Sequence, residues 1–292
     1  MSGILFMSSA MFLVPVMDAI AKYLGQTVPP LEVALSRFVF QGVFAVAVAV
    51  ILGRSLTLFP RRLGLHILRG AFIAAATLFF FTAVKTLPIA DAIAIFFVEP
   101  MILTMLSALF LGESVGPRRW AAVAVGFVGA LFIIRPGAGV FGLAGLLPIG
   151  AATCFAFYLI LTRKLSGTAS ILSLMTLGAI YGSALLGTAL FATTMLAVPG
   201  AIFLMPDTTQ LGLMVVIGGI SFGAHFLVVL AFTRAPAVVL APLNYLEIVA
   251  ATALGFFVFG DLPDAMTWIG IALIVGSGLY IAHRERQAGK AH

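Results

Sequence analysis

Ten long apolar runs separated by short polar loops restrict this chain more than any other feature. A helix that crosses a lipid bilayer needs roughly 20 mainly apolar residues. Of the whole sequence, 62% is hydrophobic and only 9% is charged, whereas about a quarter of a soluble domain is charged. We therefore predict an all-α membrane protein with ten transmembrane helices. The predicted spans are 3–22, 31–52, 66–85, 89–111, 119–135, 143–163, 171–197, 210–232, 238–259 and 265–283.

Several functional classes are disfavoured by composition and motifs. The loops have no room for a nucleotide-binding domain, and no G-x-x-x-x-G-K-[ST] motif is present, which excludes ATP-driven pumping by this chain alone. The net charge of +6 is too dispersed to form a nucleic-acid-binding stripe. The single cysteine, Cys154, lies in an apolar run and argues against a disulfide or a thiolate metal site. We expect no cofactor, no metal and no nucleic acid partner.

The distribution of basic residues predicts the orientation of the spans. Twelve of the sixteen Lys and Arg residues, Arg69 among them, are assigned to one side, and Lys22, Lys85 and Arg135 to the other. Arg37 lies within the second run. Cytoplasmic loops carry an excess of Lys and Arg, so we expect both termini in the cytoplasm. The first run has no basic segment before it, and we expect it to be retained as a helix rather than removed as a signal peptide.

Two glutamates, Glu99 and Glu247, lie near the centres of the fourth and ninth apolar runs. An ionised carboxylate without a partner is costly in hydrocarbon, and ionisable residues there commonly serve a function. The two are 148 positions apart, and the same offset pairs Gly70 with Gly218. It also pairs Glu113 with Asp261, Pro88 with Pro236 and Trp120 with Trp268.

These matches predict an internal repeat with units 1–138 and 139–292. Each unit has five spans, an odd number, so the second copy enters the membrane from the opposite side. Inverted repeats of this kind are a known plan of secondary transporters, whose substrate binds near the midplane between the halves. We therefore expect two inverted five-helix repeats around a central cavity, with both glutamates near mid-membrane.

Two stretches carry a resemblance to a known family. "LPIADAIAIFFVEPMILTMLSALFLGESVGPRRW" and, later, "VFGDLPDAMTWIGIALIVGSGLYIAHR" resemble the EamA-type domain of the drug/metabolite transporter superfamily, present as two tandem units. The resemblance implies a ten-helix bacterial inner-membrane transporter with a cavity lined by the first, third, fourth, sixth, eighth and ninth helices. Members commonly have a proline in the middle of the fourth and ninth helices. Pro100 matches, but Ile248 occupies the second position, and Pro242 indicates a displaced kink.

The candidate cavity residues combine this resemblance with polar chemistry in apolar runs. They are Asp18, Thr77, Phe79, Glu99, Tyr158, His225, Asn244, Tyr245 and Glu247. Asn244 and Glu247 are three residues apart and share a helix face. Each candidate has a structural alternative. The glutamates could be neutral or paired with Arg37, Asp18 could pair with Lys22 at i+4, and His225 and Tyr158 could be packing residues.

The main functional prediction is a secondary transporter that exports amino acids by alternating access, since the chain is similar to amino-acid exporters, including the aromatic type. The alternative is an uptake carrier for a larger metabolite such as riboflavin or S-adenosylmethionine, because the chain is also similar to relatives that take up these compounds. A proton is the candidate coupling ion, the lipid bilayer is the solvent, and no oligomer is required. An intramembrane enzyme using paired carboxylates is disfavoured because no metal cluster or nucleophile motif is recognisable. A passive channel is disfavoured by the lack of a filter motif.

Overall fold

The computed structural model describes residues 2–111, 116–135, 142–165, 167–235 and 237–288, and over these ranges the regular structure is entirely helical. Nine helical segments are long and apolar enough to cross a membrane, and a shorter apolar helix follows at Ala265–Ile281. These ten segments overlap the ten predicted spans, so the all-α transmembrane prediction is confirmed for the described residues. Glu113 and Pro236 lie outside the described ranges.

In the described ranges, twelve α-helices make up the ten spans. In chain order they are α1 (Ser2–Leu24), α2 (Pro30–Ile51), α3 (Leu63–Thr86), α4 (Ile89–Phe96), α5 (Glu99–Leu111), α6 (Pro117–Ile134), α7 (Leu147–Lys164), α8 (Ile171–Met195), α9 (Thr208–Arg234), α10 (Ala237–Leu240), α11 (Leu246–Leu254) and α12 (Ala265–Ala288). Helices α4 and α5 form the fourth span. The ninth span contains α10, a 3₁₀ turn at Ala241–Tyr245, α11 and a π turn at Gly255–Phe259.

Several helices begin at residues that commonly start helices. The N-terminus of α9 carries a capping box, in which Asp207 Oδ1 accepts the Gln210 amide at 2.8 Å and Gln210 Oε1 accepts the Asp207 amide at 2.9 Å. Helices α2 and α6 begin with proline, whose missing N–H is not needed in a first turn.

The fourth and ninth spans are both interrupted near their centres. Helix α4 ends before Phe97, and α5 begins with Glu99 and Pro100, whose ring cannot continue a preceding helix. In the ninth span the break contains Pro242 rather than Ile248, as the displaced proline predicted. Glu99 and Glu247 thus each lie in the first turn of the half-helix that follows a break. The positive end of a helix dipole favours a carboxylate at this position.

The two halves of the chain are held together by extensive mutual packing. Six helix pairs make the largest contacts between the halves. They are α1–α9, α3–α7, α2–α9, α3–α8, α2–α8 and α6–α12. Exchanging the halves interchanges α1–α9 with α3–α7 and α2–α9 with α3–α8, and it maps α2–α8 and α6–α12 each onto itself. Gly70 packs against Tyr181 of α8, and its repeat partner Gly218 packs against Phe40 of α2. The equivalent crossings agree with a repeat, while its inversion across the membrane stays a prediction.

Charged residues gather at the two ends of the bundle. At one end Lys22 Nζ lies 2.8 Å from Asp261 Oδ2, and Arg135 forms an ion pair with Asp264. At the other end a cleft of about 740 Å³ is lined by Arg61, Arg62, Lys164 and Thr168. The cations expected on opposite sides are thus separated.

Arg69 corrects one part of the charge count. It lies in the second turn of α3, is 5% exposed and is surrounded by protein, so it is not a loop cation. Arg69 is close to the polar loop in sequence but points into the bundle, so it carries no weight as a loop cation, and the side on which it lies stays a prediction. The remaining assignments leave the orientation prediction unchanged, and which end faces the cytoplasm stays a prediction.

Candidate substrate-binding site

Arg37 of α2 is the centre of a buried polar cluster between the halves. The residue is 5% exposed. Its Nε donates a hydrogen bond to Ser221 Oγ of α9 at 2.9 Å, and its Nη1 donates to Thr77 Oγ1 of α3. Ser221 Oγ in turn donates to Gln41 Oε1 at 2.8 Å. We call Arg37, Thr77, Ser221, Gln41, His225 and Asp18 the central cluster.

His225 joins this cluster through the backbone. Its Nδ1 lies 2.8 Å from the carbonyl oxygen of Ser221. A carbonyl oxygen can only accept a hydrogen bond, so Nδ1 carries a hydrogen. In the neutral ring Nε2 is then a free acceptor. His225 also lies within electrostatic range of Arg37 and Arg69, an environment that disfavours a second positive charge.

Asp18 of α1 provides the negative charge of the central cluster. It is 2% exposed and lies within electrostatic range of both Arg37 and Glu247. The proposed pairing of Asp18 with Lys22 is wrong, since Lys22 instead reaches Asp261 at 2.8 Å. Lys22 lies one turn nearer the end of α1, where its long side chain extends to the bundle surface. Among the described residues Asp18 forms no direct ion pair.

The two glutamates belong to different surroundings. Glu247 lies within electrostatic range of Asp18, and α11 packs on α1. Glu99 lies within electrostatic range of Tyr245, whose ring packs on Phe97 with centroids 5.2 Å apart. Neither glutamate forms an ion pair with Arg37 within the described residues.

Unpartnered acceptors line the breaks in the two spans. Glu99 Oε1 and Asn244 Oδ1 are buried without a hydrogen-bond partner among the described residues, as is Thr252 Oγ1 of α11. Buried polar atoms are normally satisfied, so such atoms in one region call for a ligand or water. Glu99 and Asn244 are therefore the candidates best placed to contact a substrate or its water.

Phe79 lies outside the central cluster, and Tyr158 lies at its edge, within electrostatic range of Arg37. The Tyr158 hydroxyl accepts a hydrogen bond from Arg69 Nη2 at 2.9 Å, and the Arg69 guanidinium lies 4.6 Å from the centre of its ring. The ring of Phe79 packs against Gly150 of α7, and its side chain is 38% exposed. The structure thus brings Asp18, Thr77, His225 and Glu247 together, groups Glu99 with Asn244 and Tyr245 at the breaks, and leaves Phe79 apart.

Four members of the site were missed as candidates from the sequence, namely Arg37, Gln41, Arg69 and Ser221. A signal was available for three of them. Arg37 and Gln41 are four residues apart in an apolar run, as are Ser221 and His225, and this spacing places polar groups on one helix face. In the described part of the chain no group of three or more His, Cys, Asp and Glu side chains is arranged to hold a metal.

The structure has two broken spans, a carboxyl group in the first turn of the half-helix after each break, and a buried polar cluster between its two halves. This combination is typical of the class of secondary transporters. Comparison with known proteins places the chain within that class. Residues 1–135 and 142–282 each match the EamA-like transporter family, and the chain belongs to this family, which is part of the drug/metabolite transporter superfamily. The protein is thus a multi-pass membrane transporter and not an enzyme.

Two curated relatives and one solved structure resemble nearly the whole chain. The S-adenosylmethionine uptake transporter of Rickettsia bellii is 30% identical over 93% of this chain and 90% of its own length. The riboflavin transporter of Vibrio cholerae is 29% identical over 99% of this chain and 96% of its own. A crystal structure of another protein, 21% identical, covers 96% of this chain and 97% of its own with a TM-score of 0.66, which supports the fold.

Proposed function

We propose that this chain takes up S-adenosylmethionine across the bacterial inner membrane. The observation that carries the proposal is the set of three buried acidic groups around the broken spans: Asp18 lies within electrostatic range of Arg37, Glu247 within range of Asp18, and Glu99 within range of Tyr245. S-adenosylmethionine has a sulfonium and an ammonium group against one carboxylate, so a net acidic cavity suits it. The relative from Rickettsia bellii supports the same substrate. The proposal thus adopts the alternative to amino-acid export.

The contacts at the two ends support an alternating-access mechanism. Lys22 bonds to Asp261, donates to the carbonyl of Leu87 at 3.1 Å and lies 4.8 Å from the centre of the Phe259 ring. These contacts tie the end of α1 to the loop before α4 and to the end of the ninth span, and we infer that they close this end of the bundle. The opposite end carries the cleft lined by Arg61 and Lys164. With the orientation predicted from the basic residues, this conformation is closed to the periplasm.

Riboflavin is the second candidate substrate. Phe97 and Tyr245 form a tilted aromatic pair beside Glu99, with ring planes 36° apart. A flat isoalloxazine ring could stack on such a pair, and the relative from Vibrio cholerae is named for riboflavin. Riboflavin is uncharged, however, and leaves the surplus of carboxyl groups without a role.

Transport by purified protein in liposomes distinguishes the candidates. We expect saturable uptake of labelled S-adenosylmethionine that is accelerated by unlabelled S-adenosylmethionine inside the vesicles. Excess riboflavin or phenylalanine should not compete. Saturable riboflavin flux would instead support the second candidate, and phenylalanine counterflow would restore amino-acid export. An imposed proton gradient that changes the rate at constant membrane potential would support a proton as the coupling ion.

We also infer that both termini lie in the cytoplasm and that one chain suffices for transport. The support is the separation of cations between the two ends of the bundle. A reporter enzyme that works only in the cytoplasm should be active when it is fused after His292, and a reporter that works only in the periplasm should be inactive there. A periplasmic signal would contradict the orientation.

A further inference from the structure

Arg69 is a buried cation with no acidic partner among the described residues. Its three hydrogen bonds within the described ranges are all to neutral acceptors: Nε donates to Thr162 Oγ1 at 2.8 Å, Nη1 to the carbonyl of Leu174 at 3.0 Å, and Nη2 to Tyr158 Oη at 2.9 Å. The residue is 5% exposed. A buried charge without a countercharge is strongly disfavoured, so its retention here requires a reason.

Two N–H groups of Arg69 have no hydrogen-bond partner among the described residues. A guanidinium has five N–H groups, and the contacts with Thr162, Leu174 and Tyr158 use three of them. Because these three contacts come from α7 and α8, they hold the guanidinium plane in a fixed position. A fixed guanidinium recognises a carboxylate through paired hydrogen bonds. Arg37, by contrast, already has Asp18 as a nearby countercharge.

Arg69 also lies between the basic cleft and the central cluster. Thr168, which lines the cleft, has its Oγ1 3.4 Å from Nε2 of His66, and His66 precedes Arg69 by one turn of α3. His66 is 1% exposed, and its Nδ1 has no hydrogen-bond partner within the described ranges. On its other side Arg69 lies within electrostatic range of His225. Polar and positive groups thus continue from the cleft to the centre of the bundle.

We propose that Arg69 binds the α-carboxylate of the transported substrate, on the route between the central cluster and the cleft lined by Arg61, Arg62 and Lys164. This assignment rests on the proposed function and adds the residue that distinguishes an amino-acid-bearing substrate from one without a carboxylate. The surplus of acidic groups at the centre receives the cationic part, and Arg69 receives the anionic end. The two subsites together fit a substrate with separated charges.

The test compares S-adenosylmethionine with decarboxylated S-adenosylmethionine, which lacks only the carboxylate. Binding to purified wild type, Arg69→Gln, Arg69→Lys and Arg54→Gln is measured by calorimetry. Arg54 is an exposed arginine in the loop between α2 and α3 and serves as the matched control. We expect Arg69→Gln to weaken binding of S-adenosylmethionine by about tenfold or more, since a hydrogen-bonded charge pair contributes at least that factor.

The decarboxylated ligand decides whether the effect is specific. We expect its affinity to change by less than about twofold in Arg69→Gln, because the lost interaction is absent from that ligand. Arg69→Lys, which keeps the charge, should retain part of the discrimination, and Arg54→Gln should behave as wild type. If Arg69→Gln weakened the binding of both ligands equally, or left the preference for S-adenosylmethionine over the decarboxylated ligand unchanged, the assignment of Arg69 alone would be overturned. Wild type that binds neither ligand would overturn the proposed function, and the carboxylate assignment with it.

Discussion

Arg37 Nε donates a hydrogen bond of 2.9 Å to Ser221 Oγ, although the two residues are 184 positions apart in the chain. Ser221 also donates to Gln41, so α2 and α9 share two buried polar contacts at one crossing. Asp18 of α1 faces the same guanidinium. The charged centre of this transporter is therefore assembled from both halves, and its members depend on one another.

Replacing Arg37 tests that dependence. We expect Arg37→Gln to lower the free energy of unfolding by up to about 3 kcal/mol, because Asp18 loses its countercharge in a buried site. Thermal unfolding of the protein in detergent measures the change. The double variant Arg37→Gln with Asp18→Asn should recover part of the loss, since no uncompensated charge then remains. Strictly additive losses would show that the two side chains do not interact.

Glu247→Gln tests the carboxyl group that faces Asp18. We expect uptake to fall by about tenfold or more while the amount of protein in the membrane stays normal, since an interaction of only about 1.4 kcal/mol corresponds to tenfold. Glu32→Gln is the matched control, because the Glu32 carboxylate accepts the Leu204 amide at 3.0 Å near a span end, away from the cluster. Transport by Glu247→Gln at the wild-type rate would make Glu247 a structural residue.

A pair of glycines in α9 tests the packing of the halves. A Cβ atom at Gly218 would collide with Phe40 of α2, whereas a Cβ atom at Gly223 would meet nothing within 4 Å. We expect Gly218→Ala to lower the melting temperature by several degrees through overpacking. Gly223→Ala should be neutral or raise stability by roughly 0.5–1 kcal/mol, because alanine is the better helix former. Equal effects of the two substitutions would contradict the close crossing of α2 and α9.

The Arg135–Asp264 ion pair gives a pH-dependent prediction. The hydrogen bond from Arg135, together with the Thr267 amide, holds the pKa of Asp264 well below its usual range. A lowered pKa in the folded state means that this stabilisation is present above the ordinary pKa of aspartate, about 3.9, and is lost as the pH falls below it. The Asp264 side chain is 56% exposed, so solvent screens the pair and the effect is small.

We therefore expect Asp264→Asn to lower the melting temperature at pH 7 by about 1–2 °C. The difference from wild type should shrink as the pH is lowered through and below about 4. Melting curves of both proteins across this range provide the measurement. Arg135→Gln should show the same trend, and a difference that grows towards low pH would contradict the role of the pair.

The sequence predicted the spans because hydropathy and length determine which segments enter a bilayer. It also predicted the breaks at Pro100 and Pro242, since proline acts locally on the helix that contains it. The partners of the polar side chains were not predictable in the same way. They depend on how each helix is rotated and where it crosses its neighbours, which is why the sequence left a pairing of Asp18 with Lys22 open as an alternative to a place in the cavity. For the same reason Arg69 was counted only among the cations of one side and not among the candidate cavity residues.

The packing of each half mainly against the other has a consequence for biosynthesis. Arg37 enters the membrane with α2, while Ser221 is translated 184 residues later. At a synthesis rate of roughly 5–20 residues per second, the growing chain waits on the order of 10–40 s before α9 can supply this partner. During that interval Asp18 is the available countercharge for Arg37, and the grooves later filled by α8 and α9 face lipid or the insertion machinery. The first half must therefore tolerate being made alone before the transporter can close.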